Sequence, residues 1–356
     1  MDLTQLKGKK VFLTGHTGFK GSWMCKLLAM YGAEVMGFSL EPLTVPNLYS
    51  IAGISSSLTS VIADVRDYSA LQDAIDGFRP EIVIHMAAQP LVCESYVNPI
   101  YTFETNVMGT VNLLEAVRHC DSIMSVINVT TDKVYRNCEW PWGYRENDAL
   151  DGFDPYSNSK SCSELVTSSY HNAFFSNGFP AISTVRAGNV IGGGDFAKDR
   201  IIPDCIRAVQ SNEEIIVRNP HSTRPYQHVL EPLTAYLHLA LLQMEDANRY
   251  HGNYNIGPDD QDCISTKILV ELFCKEWGGV KWHSTADPNA PHEANFLRLD
   301  CSKAKVMLQW YPRWSIEQAV SKTVTWSKAY YGGENMDQFM KEQINEYMQA
   351  APQLGR

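Results

Sequence analysis

The chain contains no apolar run approaching the roughly 20 residues that a membrane-spanning helix needs, and Met1 is followed directly by Asp2. A cytoplasmic protein without membrane contact is expected. Paired cysteines are missing too. The nine cysteines stand singly, with no Cys-x-x-Cys, which argues against a structural metal site or a disulfide framework and fits a reducing compartment. Positive charge is scarce: 30 Lys and Arg against 40 Asp and Glu give a net charge of −10. With no basic cluster, a broad nucleic-acid surface is disfavoured, while a small anion held by a few arginines is not. Repeats and low-complexity segments are absent. What remains is an ordinary globular composition, 44% hydrophobic and 20% charged, on 356 residues, enough for one large domain or two linked ones.

The most informative stretch is Lys10-Val11-Phe12-Leu13-Thr14-Gly15-His16-Thr17-Gly18-Phe19-Lys20-Gly21-Ser22-Trp23. Val11 to Leu13 reads as a buried strand, and residues 23–31 put apolar side chains on one helical face. A strand running through a glycine turn into a helix is a phosphate-binding device. The first glycine permits the turn, the second lets the backbone approach a diphosphate, and the third lets the helix pack closely. Unpaired N–H groups of the first helical turn then face the anion. Gly-x-x-Gly-x-x-Gly spacing alone also fits an ordinary turn, so the weight falls on the rest of the chain.

Strands at 34–38, 61–63, 81–86, 125–129 and 182–186 alternate with helices at 68–78, 99–119 and 156–175. That alternation predicts an α/β fold with a Rossmann-type, doubly wound parallel sheet. Helix 99–119 should bury Val107, Val111, Leu114 and Val117, and residues 42–59 read as a long loop. Glu41 is the carboxylate nearest the end of the second strand, where an acidic residue often binds the adenosine ribose and favours NAD over NADP; a solvated loop charge is the competing reading. Gly192, Gly193 and Gly194 mark either a flexible turn or a close meeting of ligand and backbone. Further helices are expected at 199–211, 232–244, 264–277, 302–308, 315–330 and 336–348, the last as a surface or interface helix.

Strand 125–129 leads into Thr130-Thr131-Asp132-Lys133-Val134-Tyr135. The carboxyl ends of parallel strands form the ligand crevice, so a hydroxyl, a carboxylate and an ammonium arrive there together. Next comes Tyr156-Ser157-Asn158-Ser159-Lys160. Tyr156 and Lys160, four apart, share a helix face. A fixed ammonium favours the phenolate, which could take a proton from an alcohol as hydride leaves the same carbon. Arg224 is a candidate for a bidentate clamp on phosphate.

These three motifs together resemble the extended short-chain dehydrogenase/reductase family in its nucleotide-sugar branch, over nearly the whole chain. In the dTDP-glucose and GDP-mannose dehydratases of that branch the residue after the Asp is typically Glu; Lys133 in that place is the usual mark of the CDP-sugar enzymes. The resemblance implies a 4,6-dehydration of a CDP-sugar by NAD, tightly bound and regenerated in each cycle. It implies Tyr156 as base, completed by Thr131, with Lys160 holding the nicotinamide ribose and lowering the Tyr156 pKa. Asp132 would be the acid and Lys133 the base of the elimination. C4 epimerases and decarboxylases of the branch share the first oxidation but do not need that pair. By the same resemblance Gly15, Thr17, Gly18, Phe19 and Gly21 hold the cofactor diphosphate, Asp64 and Val65 meet the adenine, and Ala87 and Gln89 lie near the nicotinamide-side ribose. Asn189, Arg200, Arg224 and Arg298 would contact substrate, with Asn295 standing where the family usually has an Arg. The expected division is a cofactor domain of residues 1–187 with 228–257 returning to it, and a mostly C-terminal α/β substrate domain of 188–227 and 258–356. A homodimer through the 99–119 and 156–175 helices, or a homotetramer, is implied; no metal, nucleic acid or membrane partner is.

Overall fold

The computed structural model describes residues 1–176, 178–285 and 296–353. Seven parallel strands form one sheet: β1 (Lys10–Thr14), β2 (Glu34–Ser39), β3 (Thr59–Ile62), β4 (Ile82–His85), β5 (Ser125–Val129), β6 (Ala181–Ala187) and β7 (Gly252–Ile256). Their order is β7-β6-β5-β4-β1-β2-β3. β4, β5 and β6 are buried at every residue, as expected of parallel strands covered on both faces. One face is covered by α1 (Phe19–Met30), where Trp23, Leu27 and Leu28 are fully buried in the largest core cluster. Each such side chain contributes about 1.5–3 kcal/mol. The other face is covered by α2 (Tyr68–Phe78) and α3 (Gly109–Arg118), through Leu71, Ile75, Leu113 and Val117.

Several expectations are refined. The helix predicted at 99–119 is not uniform: Pro99–Phe103 passes through a π turn, Glu104–Met108, into α3. The extra residue changes the helical phase, so Leu114 and Val117 are buried while Val107 and Val111 are only partly covered. The 42–59 loop contains a short helix, Leu48–Ile51, capped by Asn47, and a 3-10 turn, Ile54–Ser57, anchored by buried Leu48 and Ile54. The three glycines make room for neighbouring side chains. A Cβ on Gly193 would lie 2.0 Å from the Trp326 ring, and one on Gly194 2.6 Å from Leu48. The last helix is a surface helix docked on the core by one face, with Met340, Ile344 and Tyr347 buried.

Beyond the sheet, α5 (Ile201–Gln210), α7 (Thr266–Trp277) and α8 (Ile316–Tyr331) enclose a second core around Ile202, Leu269, Phe273 and Val320. The helix predicted from 264 begins at Thr266 because Cys263–Ser265 is a strand antiparallel to Thr223–Pro225, after which Ser265 caps the helix. α6 (Leu230–Glu245) packs on the main sheet, and α9 (Met336–Gln349) packs on α1 and α8, with Met340, Ile344 and Tyr347 in the largest core cluster. Residues 291–295, including Asn295, lie outside the described residues. Among those described, no helix is long and apolar enough to cross a membrane, and no His, Cys, Asp and Glu cluster could hold a metal ion.

Candidate active site

The strand order reverses between β4 and β1, which opens a crevice at their carboxyl ends. The turn after β1 lies there, with Gly15 at φ +79 and the Ala87 backbone so near that an added Cβ would sit 2.8 Å from its nitrogen. A Cβ on Gly21 would approach the Gly15 carbonyl oxygen to 2.0 Å, whereas Gly18 has nothing closer than 3.5 Å. Gly18 is also the N-cap of α1, and no side chain caps the helix there. The first-turn N–H groups are left for an anion, so bare backbone and the positive helix end fit a dinucleotide diphosphate. The Thr17 hydroxyl donates to the Leu40 carbonyl at 2.8 Å and bonds Ser39 Oγ at 2.9 Å, fixing the turn against the end of β2. Phe19 packs beside Gly192. Glu41 is exposed.

β5 ends in Thr130-Thr131 and a 3-10 turn, Asp132–Val134. The Thr131 hydroxyl accepts from the Lys133 N–H at 3.4 Å and donates to Asp132 Oδ1 at 3.0 Å. Asp132 is 2% exposed, and its Oδ2 is buried without a hydrogen-bond partner. α4 (Pro155–Tyr170) starts at this turn because Asp154 caps it and Pro155 occupies its first position. Its face presents buried Tyr156 and Lys160, and the Tyr156 phenol lies near enough to the Thr131 hydroxyl to be influenced by it. Thr131, Asp132, Tyr156 and Lys160 are thus brought together, with Lys133 next in the chain.

Burial pushes the Tyr156 phenol up to about 12, opposed by the Thr131 hydrogen bond and the Arg200 charge. Lys160 donates to the Val129 carbonyl at 3.1 Å. Its ammonium is lowered to about 8 by burial and by Lys20. Burial also raises the Asp132 carboxyl, against Lys133, the Thr131 hydrogen bond, Arg224 and Lys20. Among the described residues no ion pair joins Asp132 to Lys133. Lys20 is itself lowered to about 8 by burial and by Arg200, with Asp132 and Asp195 opposing. Arg200 Nη1 donates to Asp195 at 2.9 Å.

Arg224 is 6% exposed and near enough to Asp132 to act on its charge. Its strand neighbour Thr223 pairs with Phe296, and the Arg298 guanidinium lies 4.8 Å from the Phe296 ring centre. Arg298 Nε is buried without a hydrogen-bond partner. Asn189 is partly exposed, just before the short strand Val190–Ile191. Asp64 is clasped by Arg66 Nε and Nη2 at 3.0 and 2.8 Å, and Val65 is buried beside Gly109. The Ala87 N–H donates to Thr14 Oγ1 at 3.0 Å. The Gln89 side chain is turned into the protein, donating to Thr102 at 2.9 Å and accepting from the Leu91 N–H at 2.6 Å. Three residues escaped the sequence reading. Lys20 and Asp195 face the crevice charges, and a lysine inside a glycine turn was the available signal for the first. Asn106, on the π turn, donates to Ser159 at 2.9 Å and gave no signal, since that turn is invisible in the periodicity.

A glycine cradle at the switch point of a parallel sheet, beneath Thr131, Tyr156 and Lys160, defines a dinucleotide-dependent enzyme of the extended short-chain dehydrogenase/reductase type. The chain belongs to the family described as GDP-mannose 4,6 dehydratase, whose profile matches residues 12–323. It is similar to the CDP-glucose 4,6-dehydratase of Salmonella typhimurium, 48% identical over 352 residues that cover 97% of each chain. Its fold is similar to the UDP-glucose 4-epimerase of Thermotoga maritima, with a TM-score of 0.79 and 22% identity over 90% of this chain and 99% of that one. It is likewise similar to a dTDP-glucose 4,6-dehydratase of Bacillus anthracis solved with NAD, with a TM-score of 0.77 and 21% identity over 92% and 99% of the two chains.

Proposed function

We propose that this chain is an NAD-dependent CDP-glucose 4,6-dehydratase, converting CDP-D-glucose to CDP-4-dehydro-6-deoxy-D-glucose with loss of water. The observation that carries the reading is that Tyr156 and Asp132 both lie beside the Thr131 hydroxyl, which donates to Asp132 Oδ1 and opposes the rise of the Tyr156 phenol. A group suited to taking an alcohol proton and a buried carboxyl suited to donating one share a single crevice.

Bound NAD would supply the acceptor for hydride from C4 of the sugar and the donor of that hydride to C6, and so would be regenerated in each turnover. Gly15, Thr17, Gly18, Phe19 and Gly21 would hold its diphosphate, Asp64 and Val65 the adenine side, and Ala87, Gln89 and Lys160 the nicotinamide side. Tyr156 takes the C4 hydroxyl proton; the Thr131 hydrogen bond and the Arg200 charge favour the phenolate it needs. The resulting 4-ketone makes the C5 hydrogen acidic, because the carbanion left behind is an enolate. Lys133 removes that proton, and Asp132 protonates the departing C6 hydroxyl. Burial raises the Asp132 carboxyl in the direction an acid requires.

Asn189, Arg200, Arg224 and Arg298 are assigned to the substrate, and the segments 188–227 and 258–356 to its domain, with 1–187 and 228–257 holding the cofactor. A homodimer is supported by exposed apolar side chains on the two helices expected to join it, Ile100 at 74% and Leu165 at 59% exposure. A cytoplasmic location fits the single cysteines.

The test is turnover of CDP-glucose deuterated at C4, by the protein as purified with no cofactor added. Water loss with deuterium retained at C6 is the expected result. Deuterium retained at C4 or released to solvent would overturn the internal hydride return, and turnover of dTDP- or GDP-glucose in place of CDP-glucose would overturn the substrate.

A further inference from the structure

A chain of buried polar groups starts directly behind the catalytic turn. Thr130, the residue before Thr131, donates to Glu164 of α4. Glu164 is gripped by Arg186 of β6 through two parallel bonds, Nε to Oε1 at 2.9 Å and Nη2 to Oε2 at 2.8 Å. Arg186 Nη1 donates to the Tyr135 hydroxyl at 2.8 Å, and that hydroxyl donates to Asn255 Oδ1 of β7 at 2.7 Å. Asn255 Nδ2 then donates to the carbonyls of Tyr144 and Asp300 at 2.8 and 3.1 Å. The far end is the backbone that carries Arg298. The Tyr144 N–H donates to the Arg298 carbonyl at 3.0 Å, and the Asp300 N–H to the Tyr144 carbonyl at 2.9 Å.

Stability alone does not account for such a chain. Arg186 and Asn255 are fully buried, with Tyr135 at 1% and Glu164 at 3% exposure. A buried ion pair contributes little beyond what apolar side chains of the same volume would. A fully satisfied buried network does fix orientation, because each displaced member leaves a partner unpaired at low dielectric. Its two ends are the places where orientation matters. One is the Thr131–Lys133 turn, which Tyr135 follows by two residues. The other positions Arg298, whose Nε is buried without a hydrogen-bond partner.

We propose that Tyr135 and Asn255 are positioning residues that hold Arg298 in register with the catalytic turn, so that the anionic diphosphate of the substrate is seated by an arginine fixed relative to Asp132 and Tyr156. This rests on the reading of the chain as a nucleotide-sugar dehydratase. Neither residue touches the sugar. Both act through the 296–300 backbone.

Tyr135→Phe tests it with least disturbance, since the ring stays stacked on Tyr144 (5.2 Å between centres) and against the Arg186 guanidinium (5.0 Å). Losing one buried hydrogen-bonded hydroxyl should raise KM for CDP-glucose about tenfold and change kcat less than about threefold. NAD affinity, read by fluorescence titration, should not change, because the glycine cradle lies outside the chain of bonds. Arg298→Gln should raise KM similarly, and the double variant should add nothing further. Asn255→Asp keeps the acceptor for Tyr135 and removes both donors toward Tyr144 and Asp300, so it reads the far half if Tyr135→Phe does not fold. Unchanged KM in either folded variant, a fall in kcat alone, or additive effects in the double variant would overturn the coupling while wild-type turnover leaves the dehydratase reading standing. Absence of CDP-glucose turnover by the wild type would overturn that reading and the proposal with it.

Discussion

The hydroxyl of Thr131 lies 3.0 Å from Asp132 Oδ1 and donates to it. The Tyr156 phenol lies beside the same hydroxyl, which lowers its pKa, so one short side chain adjoins both the oxidation and the elimination machinery. Replacing Tyr156 by Phe removes the proton acceptor, and turnover should fall about 10³-fold or more, together with substrate-dependent reduction of the nicotinamide. Thr131→Val should slow both halves, because it removes the polar neighbour that favours the phenolate and the hydrogen bond that Asp132 Oδ1 accepts. Stopped-flow absorbance of the reduced nicotinamide, read beside water loss, separates the two steps.

Lys133 and Asp132 are assigned only to the second half. Lys133→Ala should therefore still allow substrate to reduce the bound cofactor, while dehydration drops by about 10²–10⁴-fold. Asp132→Asn should behave alike, since an amide cannot give up the proton that the leaving hydroxyl needs. Equal loss of the first hydride transfer in both variants would end this division of labour.

The meeting of Thr131, Asp132 and Tyr156 was legible because it follows from topology. The carboxyl end of β5 must face the crevice, and a helix capped by Asp154 must begin beside it. The sheet was legible for a similar reason: strands such as Ile82–His85, covered on both faces, appear as unbroken apolar runs. What stayed hidden depends on contacts between distant residues. Nothing local says that Gly193 must leave room for Trp326, or that the Lys20 side chain turns toward Asp132. The π turn that brings Asn106 to Ser159 breaks the very periodicity from which its helix was read. The Arg66 clasp on Asp64 and the inward turn of Gln89 are equally invisible to spacing.

Gly18 and Gly21 should separate cofactor binding from folding. A Cβ on Gly18 meets only the Gly15 carbonyl oxygen at 3.5 Å, an ordinary contact, so Gly18→Ala should fold with little change in Tm. Its methyl would occupy the face the diphosphate approaches, and NAD affinity should fall at least about tenfold. Gly21→Ala places its methyl 2.0 Å from the Gly15 carbonyl oxygen and should lower both Tm and affinity. Thermal unfolding and NAD titration of the two variants check the contrast.

The exposed apolar face has its own consequence. Ile100, Leu165 and Phe174 are 74%, 59% and 54% exposed, and the first two lie on helices that pack against each other. A charge there should oppose association without touching the core. If the wild type is the homodimer proposed above, Leu165→Glu is expected to sediment as a monomer at micromolar concentration, with the far-ultraviolet circular dichroism retained. A wild type already monomeric under those conditions would remove the assignment of this face.

Glu231 makes the stability depend on pH. It is fully buried in the first turn of α6 and accepts from the Arg313 and Trp314 N–H groups at 3.0 and 2.8 Å and from the Tyr347 hydroxyl at 2.7 Å. Those bonds favour the carboxylate, yet burial outweighs them and raises the group from 4.5 to about 7. The folded state therefore holds a proton that the unfolded chain releases. The stabilisation is complete below the unfolded value and is lost as pH rises toward 7, by about 3 kcal/mol at 1.36 kcal/mol per unit. Buried His16, His85 and His228 are shifted down, to about 4, 3 and 3, and act in the opposite sense over much of the same window. The net slope of the wild type is thus a sum of opposed groups, and the difference from Glu231→Gln isolates the carboxyl. Denaturant unfolding at intervals from pH 4.5 to 7.5 should show the wild type losing stability relative to the variant as pH rises. Parallel curves would mean that Glu231 ionises alike in the folded and unfolded chain, and that its contacts with Arg313, Trp314 and Tyr347 offset its burial in full.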